Sequence, residues 1–328
     1  MEWARGEALT NRIQERIYME RRTIGSMQVS AVGLGCNNFG NRLDAAATAG
    51  VVRAALDAGI NFFDTADIYG KGLSEEYLGR ALGPEREGVL IATKFGMAMD
   101  DQRRGARPEY IRRAAEDSLR RLGMDRIDLY QLHQPDPSVP IAETLGALNE
   151  LVTAGKVREI GCSNFSAAQI AEAEEVAAQT GTARFVSVQN EYSLLHREPE
   201  PEVLAECERV GAAFLPFFPL ASGLLTGKYR RGQPAPPGSR LSSGPRAGQL
   251  TEDALEHVEA LRRFAESRGH SLLELAFSWL LSRPVVASVI AGATKPEQVQ
   301  SNVAAAGWRL TTADLAAVDA ITTSRGAS

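Results

Sequence analysis

Four side chains that can hold or move a proton close short apolar runs in the first half of the chain. Asp64 ends NFFD, and Tyr69 follows five residues later in DTADIYG; Lys94 stands in ATKFG and His133 in LHQPD. A free phenol titrates near ~10, too weak an acid to protonate a forming alkoxide efficiently at neutral pH. A cation ~4 Å away stabilises phenolate by up to ~4 kcal/mol at an effective dielectric of ~20, so Lys94 is expected to lower the pKa of Tyr69. Asp64 would keep Lys94 charged and aimed, and His133 would orient a carbonyl oxygen by hydrogen bonding. These are the needs of carbonyl reduction: a proton donor and a fixed oxygen. The hydride must come from a cofactor, because no side chain supplies one.

The choice of cation is informative. Only five of the 36 basic residues are lysines (Lys71, Lys94, Lys156, Lys228 and Lys295), so arginine is the default here. A lysine is a compact charge that can sit against one oxygen, whereas arginine carries a wide fork. Each of the four residues also has a plainer reading. Lys94 and Asp64 could form a structural ion pair, Asp64 could cap a loop, Tyr69 could be a rim aromatic, and His133 a satisfied core histidine.

Bringing these residues together requires a particular arrangement of elements. Short β-like runs at 32–35, 61–64, 89–94, 127–133, 159–163, 185–190, 213–217 and 287–291 alternate with amphipathic helical stretches. Asp44 is expected to cap a helix over 45–58 that Gly59 ends; Pro108 opens 109–122, stopped by Gly123; Ser74 caps 75–82. Gly25-Ser26 between extended flanks predicts a hairpin before the first of these strands. Eight strands separated by helices, with no second composition zone, predict an α/β fold: a closed (β/α)8 TIM barrel with an N-terminal β-hairpin, as one domain over 18–328. In that fold chemistry sits at the carboxyl ends of the strands, which is where Asp64, Lys94 and His133 fall. Residues 1–17 read as a polar appendage. Residues 230–250, rich in Gly, Pro and Ser, read as a mobile lid or an insertion without a role.

Composition narrows the function further. The 328 residues are 44% hydrophobic and 23% charged, with a net charge of −5. No basic surplus exists to neutralise phosphates, which argues against a nucleic-acid partner. The three cysteines, Cys36, Cys162 and Cys207, are odd in number and widely spaced, as in a reducing cytoplasm. No Cys/His cluster suggests a metal. The N-terminus MEWARGEALTNRIQER has no apolar core of a signal, and the apolar stretch 271–293 is broken by Glu274, Arg283 and Pro284, so no membrane span is expected. Gly33-x-Gly35 begins like a dinucleotide fingerprint, but Asn38 stands at the third position and the next helix starts late. Nothing in the residues specifies an oligomeric state.

Six segments carry a resemblance: NFFDTADIYG at 61–70, SLRRLGMDRIDLYQLH at 118–133, GKVREIGCSNFS at 155–166, VQNEYSLL at 188–195, LASGLLTGKY at 220–229 and IAGATKPEQVQSN at 290–302. In this order they resemble the aldo-keto reductases, NADP-preferring (β/α)8-barrel enzymes, over nearly all of residues 20–315. The resemblance implies extra helices near the C-terminus and a catalytic tetrad of Asp64, Tyr69, Lys94 and His133, with Tyr69 as general acid. It implies that Ser163, Asn164 and Gln189 hold the nicotinamide carboxamide, that Phe217 stacks beneath the nicotinamide, and that Gly35, Cys36 and Asn37 line its ribose. Leu220, Ser222, Gly223, Leu224 and Lys228 match the pyrophosphate stretch; Gly292, Ala293, Thr294, Lys295, Gln298 and Asn302 match the adenosine end. Glycines at 223, 227 and 292 let backbone N–H groups approach phosphate oxygens, and Lys295 precedes a helix N-terminus suited to an anion, such as the 2′-phosphate of NADP.

Phe217-Phe218 stands where many relatives carry Tyr-Ser, which removes a hydroxyl and narrows the neighbouring cleft. Phe39, Phe95 and Phe218 are candidates for an apolar substrate wall. The expected activity is NADPH-dependent reduction of a small aldehyde or ketone to an alcohol. Two other readings stay open: an NADPH-binding, redox-sensing regulatory subunit with slow turnover, and the same enzyme working as a sugar or polyol dehydrogenase.

Overall fold

The computed structural model describes residues 19–243 and 246–323, so the 1–17 appendage lies outside the described residues. A two-stranded antiparallel hairpin, β1 (Arg21–Ile24) and β2 (Met27–Ser30), precedes eight parallel strands. These are β3 (Val32–Gly35), β4 (Phe62–Asp64), β5 (Leu90–Phe95), β6 (Ile127–Leu132), β7 (Val157–Ser163), β8 (Phe185–Glu191), β9 (Ala213–Phe217) and β10 (Val289–Gly292). Their order is β10-β3-β4-β5-β6-β7-β8-β9, and a parallel bridge between Phe214 and Val286 brings the two edges together. The expected barrel and hairpin are both present.

Helices α1 (Ala45–Asp57), α2 (Leu73–Leu82), α3 (Pro108–Leu122), α4 (Ile141–Thr153), α5 (Ala167–Thr180) and α6 (Val203–Val210) follow successive strands; α7 (Glu252–Ser267) and α8 (Leu272–Leu281) precede β10; α9 (Pro296–Ala304) and α10 (Thr312–Thr323) follow it. Local chemistry explains their ends. Asp44 accepts from the Ala47 N–H to cap α1, and Pro108 occupies the first turn of α3, whose end at Gly123 has φ 63°. Reciprocal capping boxes open α5 (Ser166, Gln169) and α8 (Ser271, Glu274). Ser74 departs from expectation. Helix α2 starts two residues earlier, after Gly72 with φ 96°, and the buried Ser74 hydroxyl donates instead to the Cys36 carbonyl. Among the described residues no helix is long and apolar enough to cross a membrane.

Alternation along the strands sorts the side chains. Val32, Leu34, Phe63, Ile91, Phe95, Tyr130 and Leu132 point outward into the layer beneath the helices. Phe62, Ala92 and Leu129 point inward and pack with Ile24, Met27 and Val29 of the hairpin, which plugs the base of the barrel. Each of those three hairpin side chains contributes roughly 1.5–3 kcal/mol by burial. One step of the inward rows further on, the residues turn polar: Asp64 follows Phe62, Lys94 follows Ala92, and Gln131 then His133 follow Leu129. The barrel interior is therefore greasy at its base and chargeable at its mouth.

Candidate active site

Lys94 is fully buried and Asp64 nearly so, and they form a close ion pair with Nζ–Oδ2 at 2.6 Å. The Lys94 ammonium also donates to the Thr65 carbonyl at 3.0 Å. Tyr69 opens a tight turn five residues beyond the end of β4, partly open to the cleft, with the Lys94 Nζ 5.3 Å from its ring centroid. That turn needs Gly70: φ is 57°, and a Cβ there would lie 2.9 Å from the Phe39 carbonyl oxygen. His133 follows β6, its N–H donating to the Phe95 carbonyl, and its ring meets that of Tyr69 edge-on at 5.8 Å. The four residues expected to act together therefore converge at the carboxyl ends of β4, β5 and β6.

The electrostatics differ from expectation in one respect. Burial outweighs the pull of Lys94 on Tyr69, and Asp64 adds to the push, so the phenol is raised above its ordinary value rather than lowered. The main reason is burial, which disfavours the charged phenolate more than Lys94 favours it; Asp64, paired with the lysine at 2.6 Å, offsets part of that pull. On Lys94, burial favours the neutral amine, but Asp64 and Tyr69 prevail and raise its pKa. His133 is pushed down to about 3 by burial and by Lys94, so it is a neutral imidazole at physiological pH. Its buried Nδ1 has no hydrogen-bond partner among the described residues. At neutral pH the site thus holds one protonated phenol, one ammonium, one carboxylate and one neutral imidazole.

Asp67, two residues before Tyr69, was not singled out by the sequence. It is buried, its N–H donates to the Lys94 carbonyl, and its Oδ2 accepts from Tyr110 at 3.2 Å. Burial, then Glu75, pushes its carboxyl up to about 7. Between pH ~4 and ~7 the folded protein holds a proton that the unfolded chain has released, so stability falls as pH rises through this window. The cost above pH 7 is of order 4 kcal/mol at most. Asp67→Asn removes it while leaving an acceptor for Tyr110. The variant is expected to melt several degrees above the parent at pH 8 and level with it near pH 4. Parallel melting curves across that range would expose the assignment as wrong.

A cleft of about 830 Å³ runs from Asp64, Tyr69 and His133 past Ser163, Asn164, Gln189 and Phe217. It continues along Leu220, Ser222, Gly223 and Lys228 to Gly292, Thr294, Gln298 and Asn302, with Gly35, Cys36 and Asn37 lining it beside Gly292. Its volume is near the top of the ~300–1,000 Å³ usual for small-molecule and cofactor sites. Asn164, at φ 62°, donates to the His133 carbonyl and to the Ser163 hydroxyl, and Ser163 donates to the Gln189 carbonyl, so this trio is locked to the catalytic end. Positive φ at Phe218, Ala221, Ser222 and Gly223 bends the segment after β9 into the kind of backbone that forms anion-binding concavities. The arrangement suits an elongated ligand with a flat polar head and phosphates.

Three expected lining residues are not on the cleft wall. Leu224 and Ala293 are buried behind it, and Lys295, the residue before α9, is exposed to solvent with its side chain outside the lining. Phe39 and Phe95 pack into the outer core, Phe95 stacked on Tyr130 at 4.6 Å; only Phe218 of the three aromatics lines the cleft. Cys36 is a buried thiol pushed well up by burial and by Asp64, and thus a neutral liner.

Arginines supply what the sequence did not reveal. The described residues of the 230–250 segment, 230–243 and 246–250, reach back to the cleft: Arg42 donates to the Gly238 carbonyl at 3.0 Å and Arg240 to Asn38 Oδ1 at 3.1 Å. The Arg246 guanidinium lies 3.9 Å from the Phe218 ring centroid and 4.0 Å from the Glu191 carboxylate. Burial, with Arg42 and Arg246 close by, pulls the pKa of Arg240 down. Such a cluster is relieved by an anion. A segment without periodicity gives no sign of where its side chains point, which is why these cations were missed.

A family model described as the aldo/keto reductase family matches residues 31–323. A probable voltage-gated potassium channel subunit beta of Oryza sativa subsp. japonica is 36% identical over 301 residues, covering 88% of this chain and 91% of its own. The Bacillus subtilis (strain 168) aldo-keto reductase YhdN is 35% identical over 298 residues, 88% of each chain. Among solved structures, the glycerol dehydrogenase AKR11B4 from Gluconobacter oxydans matches with a TM-score of 0.80 at 34% identity, covering 92% of this chain and 94% of that one.

Proposed function

The chain belongs to the aldo/keto reductase family and is an oxidoreductase, and from that premise we propose that it reduces an aldehyde or ketone to an alcohol with NADPH. The observation that carries the proposal is the buried Asp64–Lys94 pair beside a protonated phenol and a neutral imidazole, at one end of a cleft sized for a dinucleotide. Reduced nicotinamide, when bound, supplies the hydride. The protein's own residues do the rest. Ser163, Asn164 and Gln189 hold the carboxamide, and the Phe217 ring supports the flat face. Lys228, Ser222 and the arginines of the covering segment hold the phosphates.

His133 donates a hydrogen bond to the substrate oxygen and fixes its position. Tyr69 gives that oxygen its proton. The raised pKa of the phenol keeps the proton available through the physiological range, and Lys94 stabilises the phenolate left behind, an interaction stronger after transfer than before it. Asp64 holds Lys94 protonated. Preference for NADP(H) is supported by charge: Arg42, Arg240, Arg246 and Lys228 line the cleft against Glu191 and Glu297, while Asp64, which also lines it, is paired with the buried Lys94.

Two alternatives have specific support. The rice relative is named as a channel subunit, which is in line with a subunit role for this chain, and the Gluconobacter structure, a glycerol dehydrogenase, favours polyol oxidation. NADPH absorbance with a panel of aldehydes and ketones, and NADP⁺ reduction with polyols, separates them. Steady NADPH oxidation with carbonyls, and tighter binding of NADPH than NADH, are expected. Tight binding without turnover across the panel would favour the regulatory reading, and turnover with polyols alone the dehydrogenase.

A further inference from the structure

Asp64 receives more hydrogen bonds than its ion pair explains. While Oδ2 accepts from Lys94, Oδ1 faces two carboxamides, Gln189 Nε2 at 2.9 Å and Gln131 Nε2 at 3.4 Å. Gln189 also lines the cleft, so it serves both Asp64 and whatever the cleft holds. Gln131 has no such second duty. It is fully buried on β6, in register with Lys94 on β5 and with Gly161 on β7. A Cβ at residue 161 would stand next to the Ser187 Oγ and 3.2 Å from the Gln131 Cγ, so glycine on the neighbouring strand leaves room for both side chains.

Two features argue against simple filling of the barrel. The Gln131 Oε1 is buried without a hydrogen-bond partner among the described residues, a destabilising arrangement that an apolar residue of the same size would avoid. The amide also has only one sensible orientation, because turning it would set that oxygen against the carboxylate.

We propose that Gln131 is a positioning residue for the proton donor: its amide holds Asp64 so that the carboxylate stays on Lys94 and its charge is drawn away from Tyr69. This rests on the reductase reading given above. The titratable groups around Asp64 are Lys94 from β5, Tyr69 from the turn after β4, Cys36 after β3 and, beyond Lys94, His133 after β6. Strand β8 presents the neutral Gln189. Asp64 pushes the phenol up, so a carboxylate stripped of one donor pushes harder.

Gln131→Met keeps length and apolar volume without the donor, and Gln131→Leu is a second version. In either, kcat for carbonyl reduction is expected to fall about tenfold, the loss of one hydrogen bond to a charged group, with the Kd for NADPH within about twofold of the parent. In alcohol oxidation the rising limb of kcat against pH is expected to move upward by about half a unit. The same shift should be visible without substrate, as tyrosinate absorbance read by difference between each variant and its Tyr69→Phe partner. An unmoved limb and an unmoved phenol would overturn the proposal, whether kcat stays or falls along with a lowered Tm. Failure of both variants to fold would make Gln131 a structural residue and overturn it equally. A parent protein without turnover would count against the reductase reading, while the tyrosinate difference would still report on Gln131.

Discussion

Tyr69→Phe is expected to lower carbonyl turnover by roughly 10²–10⁴-fold, the range that general acid catalysis commonly supplies, while NADPH binds within about twofold of the parent. The change removes one oxygen and keeps the ring, so the edge-on packing against His133 at 5.8 Å survives. No neighbour can replace the lost proton. Lys94 has its pKa raised and is tied to Asp64, and His133, pushed down to about 3, carries no surplus proton at neutral pH. Stopped-flow hydride transfer and fluorescence titration of the cofactor separate the two effects. Retained turnover would remove Tyr69 from its proposed role; lost cofactor affinity would make the hydroxyl part of the binding site instead.

The second large effect belongs to Lys94→Met, and it falls on stability as well as chemistry. Removing one partner of a buried ion pair typically costs ~3–5 kcal/mol, because the remaining charge has no water to turn to. Here Asp64 would be left with the amides of Gln131 and Gln189 alone. A drop in Tm of at least about 6 °C is expected, taking ~2–4 °C per kcal/mol, together with loss of turnover as large as that of Tyr69→Phe. The double variant Asp64→Asn/Lys94→Met, which removes both charges, is expected to regain most of the stability and none of the activity. If the double variant melted no higher than the single one, the pair would be worth little as a pair. If Lys94→Met kept both Tm and kcat, neither role proposed for the lysine would stand.

Sequence and structure agree closely at the strand ends. Asp64, Lys94 and His133 each terminate an apolar run, and in a closed parallel barrel every such terminus reaches one rim. Asp44, Pro108 and Gly123 were equally readable, because a cap acts on backbone groups within a turn of itself. Ser74 was not, since its partner is the Cys36 carbonyl, 38 positions away. Lys295 looked like a phosphate ligand by its place before a helix, yet its side chain points to solvent. Arg240 and Arg246 lie in the segment that reads as a mobile lid or an insertion without a role, and both line the cleft.

What the amino-acid order determined unaided is therefore everything governed by near neighbours: strand and helix periodicity, caps and turns, and which polar residues end which strands. The tertiary structure alone decided how their charges add. Asp64 gathers donors from residues 30, 67 and 125 positions away, and the phenol of Tyr69 is raised, not lowered, because burial outweighs the pull of Lys94 and that carboxylate adds to the push. Electrostatic energies depend on the separation, burial and pairing of groups in space, and none of these can be read until the barrel closes.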